Sequence, residues 1–483
     1  MTLAYFFRSQ DRSKLIKDED NAETKVGEGN GETHKDQTAL LETLSTSCPN
    51  WSPEFSKRYS EQCSYWIGRF TEWEQNVDNS NKEVAYTCEN ESECRGWGDR
   101  LGGLHNAFLK ALNGKHQFRI GHENLRDLFS PCLFSNKKMN WAASPKNYHP
   151  PAGSCITTTT LQCYGWITLQ CAGHAMVTAN TDRTCIPDNM CIGVKKSLGE
   201  DEPLSVSNVI GCGLRAMLEP GEGLLNKIQL PLRLGAQPKQ MKSVREIEDI
   251  LKQYYIISIH FRLGDGFAFY HKAGEFTMDS SESYQRPFHC AATVESYLGE
   301  RDASTGEIMV DGRPVRWLLA SDSYRLKRQA MEAFGDKVIF LDIRPEHVAI
   351  ETNKDGLFST IAEWYLIGLG DQMVVNKIGT TSGDFFHGRV SAFPKTSWAY
   401  QLKHIVYDAG TCRAYSIPFE GIWEDLKGKT CGKSSWTAKG KDAIPQHHLK
   451  LLHEQRLDFP SAYVVNGKEI RTANVTKGPV KPE

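Results

Sequence analysis

The chain has 483 residues, of which 40% are hydrophobic and 24% charged, and its 57 basic residues nearly balance 59 acidic ones. This length and composition predict a folded globular protein with roughly two domains. Nucleic-acid-binding domains usually have a pI above about 9. The pI here is about 6.7, which argues against a nucleic-acid partner.

The N-terminal run "MTLAYFF" is too short for the apolar core of a signal peptide or for a membrane span. We therefore expect any leader or membrane anchor to be absent from this chain. The charged, polar sequence that follows predicts a disordered or stalk-like segment over residues 1–44. Between residues 45 and 80 the aromatic content rises and helices are expected.

Fourteen cysteines occur without any C-x-x-C pair, and eleven of them lie from Cys48 to Cys212. They predict several disulfides formed in an oxidising compartment, the alternative being scattered buried thiols. N-glycosylation triplets at Asn50, Asn90 and Asn474 also favour a glycoprotein of the secretory pathway, in the Golgi or ER lumen.

Two features mark the middle of the chain. Residues 131–192 are rich in Cys, Pro and Thr, which predicts irregular, disulfide-pinned structure with a β element in "TTTTLQCYGWITLQC". The stretch that begins "LGAQPKQMKS" then loses its apolar residues and is typical of an interdomain linker or a helix entry. We expect domains over 45–240 and 241–415, followed by a C-terminal extension over 416–483.

Short apolar runs alternate with helix-length stretches in the second of these domains. The runs are "YYIISIHF", "RWLLASD", "KVIFLDI" and "QMVVNKI", and the stretches between them include "SYRLKRQAMEAF" and "GLFSTIAEWYLIGLG". This alternation predicts an α/β fold with a doubly wound parallel sheet. Ligands of such sheets bind at the carboxyl ends of the strands, where Arg262, Asp265, Ser321 and Asp322 are expected to lie.

"HFRLGD" ends the first of these runs. The Arg262 guanidinium is suited to a phosphate or a carboxylate, and His260 is expected on the strand face opposite Phe261. Equally, an ion pair between Arg262 and Asp265 could hold the turn, with His260 satisfied in the core.

Three later positions are also candidate site residues. Asp322 either caps the following helix or bonds the ring N–H and amino groups of guanine. Glu363 lies within an otherwise apolar helix, where a carboxylate is costly without a partner. Ser382 lies in "GTTSG", which suits a phosphate or the start of a helix.

A glycine-rich segment, "CRGWGDRLGGLHNAFLKALN", surrounds Arg100 and continues at helical spacing. It predicts a loop, including Gly98, that binds an anion through backbone amides as it enters a helix, or else a tight turn. No metal site is expected, because Asp18 and Asp20 lie in the charged tail and the histidines of "HHLKLLH" have weak ligand spacing.

Together these segments resemble the GDP-fucose-dependent fucosyltransferases of the GT-B fold, the superfamily of α1,6-, xyloglucan and protein O-fucosyltransferases. "GWGDRLGGLHNAFLKAL" is similar to the family's G-x-G-N-R-L loop and helix, and "HFRLGD" to its H-x-R-x-G/T-D motif. "LLASDSYRL" resembles the A-T/S-D motif, and "STIAEWYLIGLGDQMVVNKIGTTSG" the segment that closes the donor site. The resemblance implies two Rossmann-like domains that face each other across a cleft, the first on the acceptor side and the second binding the nucleotide sugar.

The resemblance also implies roles. Arg262 would hold the β-phosphate and stabilise the departing GDP, without a metal and with no cofactor besides the donor substrate GDP-fucose. Asp322 would read guanine and Glu363 would bond ribose or a neighbouring group. The other implied donor-site residues are His260, Asp265, Ser321, Ser382, Arg100 and Gly98.

The sequence departs from the family pattern at two places. Asp99 replaces the family's Asn, and the acceptor-activating base is open between Glu275, Asp279 and Glu282, with Glu282 the preferred position. The expected activity is inverting transfer of fucose to a glycan or glycoprotein hydroxyl. The alternatives are a transferase for another nucleotide sugar and a non-catalytic secreted binding protein.

Overall fold

The computed structural model describes residue 44 and the ranges 46–77, 83–87, 97–121, 123–133, 139–141, 155–159, 167–171, 174–178, 207–235, 237–261, 282–343, 354–375, 392–403, 405–409, 412–416, 462–465 and 468–471. The chain forms two compact units, Met1–Ser60 and Glu61–Glu483. In the first unit, the Trp51 ring packs against Phe55 and Tyr59 with centroid distances of 5.0 and 4.7 Å. The predicted segment 1–44 lies outside the described residues except for Leu44.

The described helices and strands follow one another along the chain. The helices are α1 (Pro53–Gln62), α2 (Ser64–Asn76), α3 (Trp97–Gly114), α4 (Glu123–Leu128), α5 (Cys212–Met217), α6 (Glu222–Lys227), α7 (Val244–Leu251), α8 (Glu282–Leu298), α9 (Tyr324–Phe334), α10 (Lys354–Leu369) and α11 (Ala392–Tyr400). The first strands are β1 (Glu83–Thr87), β2 (Gln117–Gly121), β3 (Phe129–Ser130), β4 (Met139–Trp141), β5 (Cys155–Thr159), β6 (Ile167–Cys171), β7 (His174–Thr178), β8 (Glu219–Pro220), β9 (Leu230–Leu234) and β10 (Pro238–Met241). The remaining strands are β11 (Tyr255–Phe261), β12 (Glu300–Arg301), β13 (Ile308–Val310), β14 (Arg313–Ser321), β15 (Val338–Leu341), β16 (Gln372–Val375), β17 (Ile405–Asp408), β18 (Arg413–Ser416), β19 (Ala462–Val465) and β20 (Lys468–Arg471).

A six-stranded sheet has the order β4-β2-β1-β5-β6-β7. Its strands β4, β2, β1 and β5 are parallel, and β5, β6 and β7 form an antiparallel meander. The expectation of irregular structure over 131–192 is therefore wrong for β4 to β7, while the predicted β element is confirmed. Helix α3 connects β1 to β2 and buries the predicted periodic positions Leu101, Leu104, Phe108 and Leu112.

The second sheet contains the doubly wound arrangement expected from the sequence. Its five parallel strands lie in the order β15-β14-β11-β16-β17, which in chain order is 3-2-1-4-5. This is the order of a Rossmann-type sheet, whose direction of winding reverses between the first and fourth strands. The antiparallel strands β9 and β10 extend one edge and β18 the other.

Helices cover both faces of this parallel sheet. Tyr255, Ile257, Ile259 and Phe261 belong to one apolar cluster with residues of α8 and α9. On the opposite face the Ser258 hydroxyl donates to the Ile367 carbonyl of α10 at 2.7 Å. The His260 ring stacks on Phe393 of α11 with centroids 5.3 Å apart. The predicted opposition of His260 and Phe261 is confirmed, because side chains alternate along a strand.

Two buried disulfides confirm the expected cross-linking for four of the cysteines. Cys63–Cys212 joins the residue before α2 to α5, and Cys290–Cys412 joins α8 to the residue before β18. Each closes a long loop, of 149 and 122 residues respectively. Among the described helices, none has both the length and the apolar character needed to span a membrane.

Candidate active site

The carboxyl ends of β11 and β16 mark the point where the winding of the parallel sheet reverses. His260 near the end of β11 pairs in register with Val375, the last residue of β16. The chain continues from β11 to α8 and from β16 to α11, which lie on opposite faces of the sheet. Diverging connections of this kind leave a crevice at the sheet edge, which is where ligands of doubly wound sheets bind.

Three predicted site residues come after these strands in the sequence. Arg262 and Asp265 come directly after β11, and Ser382 comes after β16. All three lie outside the described residues, so their roles stay predictions. His260, which precedes Arg262 by two residues, is buried beside the same edge.

Ser321 and Asp322 lie at the end of the neighbouring strand. Ser321 pairs in register with Phe261, and its Oγ accepts a hydrogen bond from the Ser323 amide at 3.1 Å. Helix α9 is capped by Ser323, whose Oγ accepts from the Leu326 amide at 3.2 Å. The interpretation of Asp322 as the helix cap is therefore wrong, because its neighbour has that role.

Glu363 forms an ion pair with a lysine that sequence analysis did not select. Lys327 Nζ of α9 lies 2.6 Å from Glu363 Oε1 of α10 and 3.5 Å from the Leu341 carbonyl oxygen at the end of β15. The lysine side chain is 0% exposed and the glutamate 16%. The pair joins helices on opposite faces of the sheet around its carboxyl edge. The expectation that Glu363 needs a partner is confirmed.

Lys327 could have been found from helical periodicity. It precedes Ala330 by three residues and Phe334 by seven, which places it on the apolar face of α9. A lysine on that face must either extend to solvent or find a buried acceptor. The sequence does not identify the acceptor, since Glu363 is 36 residues away and on another helix.

Burial raises the pKa of Glu363 above its ordinary value, although the Lys327 ammonium opposes this by attraction and hydrogen bonding. Repulsion from the Asp322 carboxylate raises the pKa of Glu363 further. Asp322 and Glu363 are thus close enough to interact electrostatically. Two of the predicted donor-site carboxylates share one part of the sheet edge.

Asp342 directly follows β15 and lies at the same carboxyl edge of the sheet. Its Oδ2 accepts from Arg233 Nη2 at 2.5 Å and Nε at 3.1 Å, and its Oδ1 accepts from the Tyr324 hydroxyl at 2.8 Å. The hydrogen bond to Asp342 raises the pKa of Tyr324. Because both oxygens of Asp342 have protein partners, we assign this group to the support of the edge.

From Trp97 onward the glycine-rich segment is helical rather than a loop. Helix α3 begins at Trp97, so Gly98 and Arg100 lie in its first turn, and the prediction of a loop at Gly98 is wrong. Arg100 is buried and Gly98 half-buried. The Trp97 ring meets that of Trp364, the residue after Glu363, edge-on at 5.7 Å. The start of α3 therefore contacts the helix that carries Glu363.

Of the three candidates for the acceptor-activating base, only one lies within the described residues. Glu282 is the first residue of α8, the next described helix after β11. Glu275 and Asp279 lie outside the described residues. Within the described ranges, His, Cys, Asp and Glu side chains form no group of three or more that could hold a metal ion.

No protein-family model matches the sequence, and the search of curated proteins finds no match. Among solved structures, the chain is similar to fucosyltransferase NodZ from Bradyrhizobium, with 12% identity and a TM-score of 0.32 over 70% of this chain and 99% of that one. It is also similar to a mutant of Arabidopsis thaliana FUT1 in complex with GDP, with 12% identity and a TM-score of 0.37 over 77% and 80% of the two chains. A NodZ α1,6-fucosyltransferase soaked with GDP-fucose has 12% identity and a TM-score of 0.31 over 70% of this chain and 99% of that one.

Proposed function

We propose that this protein is a glycosyltransferase that moves fucose from GDP-fucose to a hydroxyl group of a glycan or glycoprotein, with inversion at the anomeric carbon. One observation carries the proposal. Residues of separate fucosyltransferase-like motifs, His260, Ser321, Asp322 and Glu363, lie along the carboxyl edge of a parallel sheet of order 3-2-1-4-5. That edge is where a nucleotide would bind.

The proposed reaction is a single displacement. The acceptor oxygen forms a bond to C1 of fucose while the bond from C1 to the β-phosphate oxygen breaks, and GDP leaves with the electron pair. Arg262 stabilises the negative charge that develops on the phosphate, without a metal ion. A carboxylate removes the acceptor proton, and Glu282 at the start of α8 is the preferred candidate beside Glu275 and Asp279.

The nucleotide would lie along the described edge. Asp322 follows β14 and would accept from the ring N–H and amino groups of guanine, while Glu363 would accept from ribose hydroxyls. His260 shapes the pocket floor, and Ser382 and Arg100 approach the pyrophosphate. Asp265 orients Arg262 or holds the turn.

The proposal includes a GT-B fold and a secretory location. The β1–α3–β2 unit of the six-stranded sheet is what an acceptor-side Rossmann-like domain would contain, and the second sheet would be the donor side. The two buried disulfides favour an oxidising compartment, the Golgi or ER lumen.

The test is GDP release from a panel of GDP-sugars with purified protein and candidate glycan acceptors. We expect turnover with GDP-fucose and at least tenfold less with GDP-mannose, GDP-glucose or UDP-sugars. Turnover with another nucleotide sugar alone would establish the alternative transferase. Binding of glycans without any nucleotide binding would favour the secreted binding protein and overturn the proposal.

Adjacent substitutions separate recognition from folding at the end of β14. Ser323→Ala removes the cap of α9, and we expect it to lower the free energy of unfolding by about 1 kcal/mol while leaving the affinity for GDP unchanged. Asp322→Ala should weaken GDP binding at least tenfold, because two hydrogen bonds to guanine are lost. Urea unfolding and calorimetric titration measure the two effects. Equal GDP affinity in the Asp322→Ala variant would contradict the guanine assignment.

A further inference from the structure

One buried indole differs from the others in the described part of the chain. Trp66, Trp73, Trp317, Trp364 and Trp398 each donate from Nε1 to a protein oxygen at 2.6–3.1 Å. Trp97 is 2% exposed, and its buried Nε1 donates to no described residue. A buried indole N–H usually has an acceptor, since leaving it unsatisfied costs stability. The acceptor of Trp97 is therefore to be sought beyond the described residues.

The surroundings of Trp97 favour a ligand rich in oxygen. Trp97 begins α3 and precedes Arg100 by three residues, so both lie on one face of its first turn. Arg100 is 1% exposed, and its guanidinium can only donate hydrogen bonds. The amides of a first helical turn can also donate and carry partial positive charge. An indole N–H at a helix N-terminus matches an anionic acceptor, and the neighbouring guanidinium adds positive charge.

The same place adjoins the proposed donor site. The Trp97 ring contacts Trp364, which directly follows Glu363 in α10. The Trp364 N–H in turn donates to Thr396 of α11, the helix whose Phe393 stacks on His260. Successive side-chain contacts thus connect Trp97 to α10 and α11, beside the sheet edge where the nucleotide is proposed to bind.

We propose that Trp97 Nε1 donates a hydrogen bond to a phosphate oxygen of the bound nucleoside diphosphate. Trp97 is then a further binding residue of the donor site, contributed by α3 rather than by the parallel sheet. This inference rests on the proposed use of a GDP-sugar. The indole N–H is a neutral donor. Unlike an arginine, it therefore has no charge of its own through which ionic strength could change its contribution to nucleotide binding.

The first test is NMR of protein labelled with ¹⁵N at the tryptophan indoles, with the Trp97 signal identified by its loss in Trp97→Phe. On titration with GDP we expect the Trp97 indole proton to move downfield and to exchange more slowly with solvent. Guanosine, which has no phosphate, should not produce this change. Trp66, whose N–H is bonded to the Asn208 carbonyl, serves as the internal reference.

The second test replaces Trp97 by 3-benzothienylalanine, which has a sulfur in place of the N–H and nearly the same shape. It keeps the packing against Trp364 and so guards against a Trp97→Phe protein that does not fold. We expect GDP affinity to fall about tenfold, as for a lost hydrogen bond to a charged group, and KM for GDP-fucose to rise with it. The same replacement at Trp66 should lower Tm without changing GDP affinity.

The possible results are distinguishable. If GDP binds but the Trp97 signal does not move, or moves equally with guanosine, the inference is overturned and the proposed function stands. An affinity within twofold of the natural protein after the benzothienyl replacement at Trp97 would also overturn it. If neither GDP nor any GDP-sugar binds the natural protein, the proposed function fails and the inference fails with it.

Discussion

Replacing Arg262 by alanine is expected to slow enzymatic release of GDP from GDP-fucose by about 10²- to 10³-fold, the effect typical of removing one donor that stabilises a developing negative charge. Arg262 follows Phe261 at the end of β11, the central strand of the sheet, which has parallel neighbours on both sides. Strand β11 ends beside the point where the winding reverses, and the sequence puts a cation directly after it. The measurement is kcat and KM for GDP-fucose under saturating acceptor.

Two further arginine variants sharpen this prediction. Arg262→Lys keeps the charge but loses the planar fork, so we expect an intermediate rate. Arg301→Ala removes an exposed arginine that donates to the Gly306 carbonyl within a hairpin, and it should leave turnover unchanged. An Arg262→Ala enzyme with the natural rate would show that Arg262 and Asp265 only hold the turn.

Replacing Lys327 by methionine is expected to lower the free energy of unfolding by about 3–5 kcal/mol, because it leaves the largely buried Glu363 carboxylate without its partner. Activity should fall as well, since the lysine fixes a carboxylate of the proposed donor site. Urea unfolding measures the first effect. Lys252→Met is the matched control, because that lysine is 70% exposed in its pair with Asp249. Its loss should change stability by no more than about 1 kcal/mol.

The Lys327→Met deficit should depend on pH in a defined direction. Burial already raises the pKa of Glu363, and loss of the ammonium raises it further. A carboxyl whose pKa is higher in the folded than in the unfolded protein binds more protons when folded, so its folded state loses stability as pH rises between the two pKa values. The deficit relative to the natural protein should therefore grow from acidic to neutral pH.

The double variant Lys327→Met with Glu363→Gln tests the same explanation. Without the charge on Glu363, most of the stability lost in Lys327→Met should return, and its dependence on pH should disappear. A double variant as unstable as Lys327→Met alone would mean that the lysine stabilises the fold through its packing and not through the carboxylate.

The parallel sheet could be predicted because its central strands are buried on both faces. All seven residues of β11 are buried, which produces the continuous apolar run that the sequence displays. The antiparallel hairpin of β9 and β10 was not predicted. In β10, three of the four residues are exposed, and its sequence is typical of a linker. An apolar run in the sequence identifies a strand that is buried. An exposed edge strand such as β10 has no such run and is therefore missed.

The candidate site residues at the end of a strand could be predicted from the sequence. The ion pair between helices α9 and α10 could not. Ser321 and Asp322 follow an apolar run directly, but Asp322 and Ser323 are both good N-caps, and only the backbone geometry assigns the cap to Ser323. The partnership of Lys327 with Glu363 depends on two helices on opposite faces of the sheet, which no local pattern encodes. The glycines near Arg100 favoured a loop, but the helix includes Gly98, Gly102 and Gly103 because the apolar positions from Leu101 onward pack on the sheet.

The hairpin of β9 and β10 also limits how this protein can associate with itself. An open sheet edge is a template on which another extended chain can form backbone hydrogen bonds. Here the outermost strand begins with Pro238, which has no amide hydrogen, followed by the exposed charge of Lys239. Both features oppose strand addition at this border. Joining of chains through their sheets, and the amyloid-like growth it can start, is therefore disfavoured on the β10 side.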